Sequence, residues 1–353
     1  MTAHVVLPRA MHLADVMEQS NRHQAPRHAM ALLAERLGAT VHAPDAVAGR
    51  LSDRIRSRIA PPVELWSLAR RVAAQASHGD TVFCSSEAGG LQVAAMLGAR
   101  STRPRLCVFV HNVDRPRARV ALKLWHMVDK VDVFLACSQM QVDFLRRYLG
   151  LGADRVRHVW DHTDTQFFTP GPAAAGRKRP VVVSVGLEQR DYKTLAAATH
   201  DLDVDVRISG FSKDADALAR TFPETMPANM SRRFYAWPEL AQLYRDADVV
   251  VVSCHENRYA AGVQSLMEAT ASRRPVVVTA TEGLRAYLDD SVLAVPPGDV
   301  ASMRRAIQAT LADTAGAEER AARGYELALR RYDMDRYVNE IIATMRPAAQ
   351  PAA

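Results

Sequence analysis

The chain has 353 residues, more than one hydrophobic core usually organises, so two domains are expected. Hydrophobic residues make up 48%, but no run of 18 uncharged apolar residues occurs, which argues against a membrane-spanning helix; the start "MTAHVVLPRAMHLAD" lacks the basic-then-apolar pattern of a signal peptide. The net charge of +6 comes entirely from the first half: residues 1–170 hold 22 Lys and Arg against 15 Asp and Glu, and the remainder holds 23 against 24. Two explanations stay open, an arginine-rich composition throughout or a half that meets an anionic partner. Cys84, Cys107, Cys137 and Cys254 are scattered, mostly in apolar runs such as "VFCSS", a pattern of buried reduced thiols in a reducing compartment rather than disulfides or a metal site.

In chain order, short Val-rich runs alternate with longer amphipathic ones, the pattern of β/α repeats around parallel sheets. The first half offers "HVVLP", "ATVHAP", "DTVFCSS", "RLCVFVHN", "VDVFLACS" and "RVRHVW" as strands, with helices such as "APRHAMALLAERLG", whose Gly38 suits a C-cap. "TPGPAAAGRKR", 169–179, has linker composition. Six further strand candidates follow: "PVVVSVG", "DVRISG", "RRFYAW", "ADVVVVS", "RPVVVTA" and "SVLAVPP". Three helical stretches come after them, ending with "MDRYVNEIIATM" and a tail "RPAAQPAA" of disordered composition. The expected organisation is an N-terminal Rossmann-like domain over 1–170 and a linker over 171–179. A C-terminal Rossmann-like domain over 180–327 follows, then a last helix over 328–346 and the tail over 347–353.

In open parallel sheets, ligands bind beyond the carboxyl ends of strands, where helix N-termini aim their amides. Two such domains facing each other would make a cleft. After "VVVSVG", Arg190 and Lys193 fall at a strand end and helix start, where two cations beside helix amides suit a diphosphate; a solvated basic pair is the plainer alternative. In "ISGFS", Gly210 allows close approach of a ligand, or simply a turn.

The stretch "RRFYAWPELAQLYRDADVVVVSCHENRYAAGVQSLMEATASRRPVVVT", with "TEGLRAYLDD" and "LAVPPGDVASM" after it, resembles the C-terminal domain of GT-B glycosyltransferases, specifically glycosyltransferase family 4. Upstream, "FVHN", "ACSQMQVDFLRRYLGLGADRVRHV" and "DHTDTQFFTP" resemble the same family's first domain and crossover, so the likeness runs over roughly 80–340. The resemblance implies an α/β GT-B fold, two Rossmann-like β/α/β domains facing a central cleft, with the last helix packing back on the first domain. It also implies a retaining glycosyltransferase of hexosyltransferase type that uses no metal. The leaving phosphate of a nucleotide-diphosphate sugar would take the proton of a glycan or lipid-linked acceptor.

Carried over position by position, the resemblance gives Glu268 the nucleotide ribose and Arg190 the diphosphate, with Lys193 beside it. The backbone amides of Gly262, Val263 and Gln264 would face sugar and diphosphate, while Glu282 and Gly283 line the site. His111 matches a first-domain histidine that reaches the donor sugar; a plain strand end is the alternative. Catalysis would thus rest on His111, Arg190 and Glu268. Two departures stand out. Family members carry a second glutamate eight residues before the ribose one, where this chain has Ala260, and Glu256 has the wrong spacing; a usual arginine is Leu187. Loss of the first glutamate should alter how sugar hydroxyls are held, and so donor choice. Trp237 and Tyr235 could flank the base, but core packing fits them better.

No cofactor or metal is expected: the Asp-x-Asp pairs (Asp214/Asp216, Asp246/Asp248, Asp333/Asp335) fall in helices or at a junction, and no His/Cys cluster has zinc spacing. "SSEAGG", 85–90, with Ser86, suits a cleft wall near the acceptor. Two basic stretches, 50–71 and 115–130, mix Arg and Lys with Leu, Ile and Trp, as segments resting on anionic lipid do and as ordinary amphipathic helices also do. The expected setting is cytoplasmic, with peripheral contact at the inner face of the cell membrane. No nucleic-acid partner is expected, since the basic excess carries no recognition motif. Two alternatives remain, a sugar-nucleotide epimerase or other GT-B enzyme, and a degenerate GT-B domain that only binds a partner.

Overall fold

Two six-stranded parallel sheets form the frame of the computed structural model, which describes residues 2–45, 49–58, 62–98, 100, 102–114, 119, 122, 127–211 and 217–346. The first sheet holds β1 (Ala3–Val6), β2 (Thr40–His42), β3 (Thr81–Cys84), β4 (Arg105–Val110), β5 (Val133–Ala136) and β6 (Val156–His158), in the order β2-β1-β3-β4-β5-β6. The second holds β7 (Val181–Val185), β8 (Asp205–Ser209), β9 (Met230–Arg232), β10 (Val249–Val252), β11 (Val276–Thr279) and β12 (Val292–Val295), in the order β12-β11-β10-β7-β8-β9. Each strand candidate read from the sequence contributes residues to a ladder. β10 reads as an unbroken apolar run, and β7 as one broken only by the buried Ser184, because helices cover both faces of a parallel sheet.

Helices α1 (Leu13–Asn21), α2 (Ala29–Leu37), α3 (Leu51–Arg56), α4 (Val63–Gln75), α5 (Glu87–Leu97) and α6 (Gln139–Asp143) accompany the first sheet in sequence. With the second run α7 (Tyr192–Thr199), α8 (Trp237–Asp246), α9 (Val263–Ala271), α10 (Val300–Ala312), α11 (Thr314–Leu327) and α12 (Met334–Met345). Gly38 closes α2 at φ 55°, and Ala39 N–H reaches Ala34 O at 2.9 Å, so the expected glycine cap is formed. Asp191, Asp299 and Asp313 cap α7, α10 and α11 by accepting first-turn amides. No helix among the described residues is long and apolar enough to cross a membrane.

The run "RRFYAW" departs from expectation. Its ladder ends at Arg232, because β9 is an edge strand paired only with β8, and Pro238 in the first turn of α8 starts a helix at Trp237. Trp237 is 44% exposed rather than packed in a core, whereas Tyr235 is buried. The four cysteines are free and buried. The Asp-x-Asp pair Asp214/Asp216 and most of the basic stretch 115–130 lie outside the described residues.

The chain divides into two units: residues 1–17, 28–160 and 337–353, and residues 18–27 and 161–336. The core of the first includes Leu68, Val82, Leu106, Val108 and Phe134; that of the second includes Val182, Tyr192, Val206, Ile208, Val251 and Val277. Arg27 explains why a short early segment joins the second unit. Its amide donates to Asp164 Oδ2 at 2.7 Å, and its guanidinium reaches Asp164 and Asp335, the latter at 3.0 Å. Asp164 is 3% exposed, so the bonds to it are made in a desolvated place where charge-assisted contacts are strong. The end of α12 is held in the first unit, where Arg105 and Thr81 donate to the carbonyls of Thr344 and Met345 at 3.3 and 3.5 Å. These cover helix-terminal acceptors that lack intrahelical partners.

Candidate functional site

In the second sheet, strand order reverses between β7 and β10, the neighbours from which the chain leaves in opposite directions. At such a switch point the loops beyond the two carboxyl ends diverge and leave a crevice. The residues after β7 (186–191) and after β10 (253–262) flank that crevice, and Arg190 and Cys254 bridge them as an isolated β-bridge. Asp191 N–H also donates to Ser253 O at 3.0 Å, and Ser253 Oγ to Asp191 O at 2.7 Å.

Arg190 is turned inward and only 3% exposed, unlike the solvated residue its position also allowed. Nε donates to Val185 O at 2.8 Å, Nη1 to Glu188 O at 3.1 Å and to Cys254 Sγ at 3.3 Å, and Nη2 to Ser265 Oγ at 2.7 Å. Every partner is neutral; among the described residues no carboxylate lies within ion-pair distance of this guanidinium. Two glycines cover it. A Cβ on Gly186 (φ 101°) would fall 2.4 Å from Nη2, and one on Gly262 (φ 96°) would fall 3.4 Å from Nη1. Both glycines have left-handed backbone that a side chain would strain; at Gly186 close approach to the cation demands glycine as well, and at Gly262 a Cβ would also crowd Val252 and Cys254 at 2.9 and 3.0 Å.

Gly262 is also the N-cap of α9, whose first-turn amides have no intrahelical acceptors. Val263 N–H is spent on Ala260 O at 3.2 Å, while Gln264 is exposed at the same helix end. One turn further, Glu268 is 5% exposed and accepts the Tyr244 hydroxyl at 2.6 Å. Burial pushes its carboxyl up to about 7, against the lowering from Tyr244, Gln264 and Arg190. Lys193 is exposed in the first turn of α7.

The loop 255–261 is braced from both sides. Tyr259 Oη donates to Glu188 Oε1 at 2.9 Å, and the Glu256 carboxylate accepts the Glu282 amide at 3.0 Å. Gly283 N–H donates to Asn257 O at 3.0 Å, and a Cβ at Gly283 would sit 1.9 Å from Tyr259 O. Gly283→Ala therefore forces this loop, and the Gly262 turn after it, to shift. We expect a loss of about 1–3 kcal/mol, read as a lower melting midpoint, together with weaker nucleotide binding by calorimetry. A variant that melts and binds like the wild type would show that the brace has slack.

Gly210 ends β8 against Phe222, and its carbonyl accepts Arg232 Nη2 at 2.8 Å. Arg232 lies over the rings of Phe222 and Phe211 at 4.0 and 4.6 Å, and Phe211 meets Phe234 edge-on. Phe211 and Phe234 are exposed, an aromatic pair following the glycine, and Trp237 is exposed at the start of α8. Asp246 and Asp248 are spent on the 174–181 segment, and Asp333 and Asp335 on Thr165 and Arg27.

In the first unit, His111 follows β4 and is exposed, its Nε2 3.4 Å from Ser85 O. Glu87 holds its backbone: the carboxylate accepts the amides of His111 and Asn112 at 2.9 and 3.1 Å. Ser86 caps α5 through Ala88 N–H. Five contributors were not singled out from the sequence: Glu87, Glu188, Tyr244, Cys254 and Ser265. Tyr244 and Ser265 sit in apolar-patterned helices, where a polar group is legible only as a gap in the stripe.

Residues 179–313 match the family model described as "Glycosyl transferases group 1". Across nearly the whole chain, solved structures superpose at low identity. A sucrose-phosphate synthase from Thermosynechococcus elongatus is 16% identical over 97% of this chain and 98% of its own, with a TM-score of 0.70. Anabaena HepE in complex with UDP-glucose is 14% identical over 98% and 99%, with a TM-score of 0.69. A trehalose 6-phosphate synthase from Burkholderia multivorans is 15% identical over 98% of each chain, with a TM-score of 0.71. The chain has the GT-B glycosyltransferase fold. Its group 1 segment contains β7 through α10, and hence Arg190, Gly262 and Glu268, so the inward cation and the buried glutamate fall within the matched part of this GT-B fold. No curated protein sequence matches.

Proposed function

We propose that the protein is a retaining glycosyltransferase of the family 4 type. It would take a sugar from a nucleotide diphosphate and pass it to a glycan or lipid-linked acceptor without a metal ion. One observation carries this: a buried guanidinium with no carboxylate partner, roofed by two glycine turns at the open end of α9. A buried cation without a counter-ion is costly unless a bound anion compensates it. The glycine roofs let a diphosphate come near with no side chain between. The match of 179–313 and the UDP-glucose held by HepE support the donor class.

When the bond between sugar C1 and the diphosphate oxygen breaks, charge builds on the leaving phosphate. Arg190, Lys193 and the first-turn amides of α9 other than that of Val263 stabilise it there, before any solvent has to reorganise. The acceptor hydroxyl attacks C1 from the face the diphosphate leaves, and its proton passes to the departing phosphate oxygen. No protein nucleophile is needed, so Ala260 in place of the family's first glutamate affects the grip on sugar hydroxyls rather than the chemistry. We assign the ribose to Glu268, the base to the rings of Phe211, Phe234 and Trp237, and the acceptor to the first unit, whose His111 loop Glu87 holds.

Calorimetry of the whole chain against nucleoside diphosphates and their sugar derivatives tests the proposal. One nucleotide series should bind, and a labelled donor should yield glycosylated acceptor with retained configuration. Free sugar released without any acceptor would point instead to an epimerase or hydrolase. A folded protein that binds no nucleotide would leave only a scaffold role.

A further inference from the structure

The first unit presents an apolar pair that nothing among the described residues covers. α3 spans only Leu51–Arg56 and would not hold its shape alone. Asp53, fully buried, pins it by accepting the Arg50 amide at 2.9 Å and pairing with Arg70 of α4. With Asp53 turned in, Leu51 and Ile55 are turned out, 74% and 57% exposed. Being four apart, they share one face of the helix. Arg50, Arg54 and Arg58 are exposed around them, and none of the three pairs with a carboxylate among the described residues. The only acid of the segment 50–58 is the buried Asp53, so the face is apolar at its centre and purely cationic at its rim.

We propose that this face docks on an anionic membrane surface, Leu51 and Ile55 entering the boundary between headgroups and acyl chains while Arg50, Arg54 and Arg58 meet lipid phosphates. Two aliphatic side chains are too few for the core of a standard protein interface, which occupies roughly 800 Å² per partner. They do suit an interfacial anchor, where shallow apolar insertion and attraction to negative headgroups add together. The charge balance of the chain agrees, since the basic excess lies wholly in residues 1–170. Within the basic stretch 50–71, the proposal places the membrane contact on one short helix and its flanks.

Co-sedimentation with vesicles tests this without any nucleotide, so its outcome is separate from that of the donor proposal. The full chain should bind vesicles containing phosphatidylglycerol, but not vesicles of phosphatidylcholine alone, and high salt should release it. Leu51→Ser with Ile55→Ser, and separately Arg54→Glu with Arg58→Glu, should each weaken binding about tenfold or more. Because all four side chains are exposed, melting should stay as in the wild type. Vesicle binding that survives both double variants would overturn the proposal, as would equal binding to the two lipid compositions. Self-association in gel filtration that Leu51→Ser with Ile55→Ser removes would overturn it too, making the face a contact between copies.

Discussion

Replacing Arg190 by methionine should cost about 100-fold in affinity for a nucleoside diphosphate, while lysine at the same position should cost less. The guanidinium lies beneath Gly186, which approaches it too closely to carry a side chain, and beside Gly262, whose left-handed backbone and closeness to Val252 and Cys254 also exclude one, so its charge is felt at the surface of the two turns. A charge-assisted contact contributes about 1.5–3 kcal/mol, and about 2.8 kcal/mol corresponds to 100-fold in binding. Methionine fills similar volume but removes the charge and takes Arg190 away from Glu188 O and from Val185 O, which keeps the Ser265 hydroxyl at 2.9 Å. Lysine keeps the charge, but one ammonium cannot reproduce a fork that reaches two carbonyls, a thiol and a hydroxyl at once. The order arginine, lysine, methionine in affinity separates charge from geometry. Stability should fall less than binding, because removing a buried charge with no ion-pair partner offsets part of the lost hydrogen bonding. Calorimetry and melting on the same three proteins check both halves, and undiminished nucleotide affinity in Arg190→Met would remove this residue from the donor site.

The second large effect concerns Glu268, where function and stability should move in opposite directions. A glutamate in the unfolded chain ionises near 4.5, whereas burial holds the folded carboxyl near 7. The folded state therefore keeps the proton longer. As pH rises from about 4.5 through about 7, the unfolded chain sheds its proton first, and folding loses about 3 kcal/mol. Glutamine at 268 still accepts the Tyr244 hydroxyl but has no proton to lose. Glu268→Gln should thus match the wild type at about pH 4 and exceed it in stability by about 3 kcal/mol at about pH 8. Nucleotide affinity should fall about tenfold in the variant, because a neutral amide accepts ribose hydroxyls less strongly than a carboxylate. Wild-type affinity should rise as Glu268 ionises, and the variant should show no such rise. Parallel pH profiles for the two proteins, in melting and in binding, would mean that Glu268 is already ionised at low pH.

Much of the fold was legible because parallel strands buried on both faces are written as valine runs, and each of the runs 181–185, 249–252 and 276–279 became a strand. The exception at 232–237 shows the limit: "RRFYAW" has strand composition, but Pro238 and an edge position decided otherwise. At the site, Gly262 and Glu268 were legible through the resemblance to a known family. The direction of Arg190 did not, because a cation at a strand end is solvated in one packing and buried in another, and only Ser265, 75 residues away, tells which. Glu256 was set aside for its spacing from Glu268, yet it braces the 282 amide, a role that depends on the distance between loops and not along the chain. Trp237 read as core because aromatic residues usually are, while its helix turns that first residue outward.

The closures made by Arg27 and by the last turn of α12 bear on how the chain comes off the ribosome. The second unit needs residue 335 before Arg27 has its full set of partners, and the first unit needs 344 and 345 before Arg105 and Thr81 do. A nascent chain that has already made all of the first sheet still lacks the helix that β4 grips. Each unit is thus completed by residues near the end of the described chain, Asp335 for the second and Thr344 and Met345 for the first.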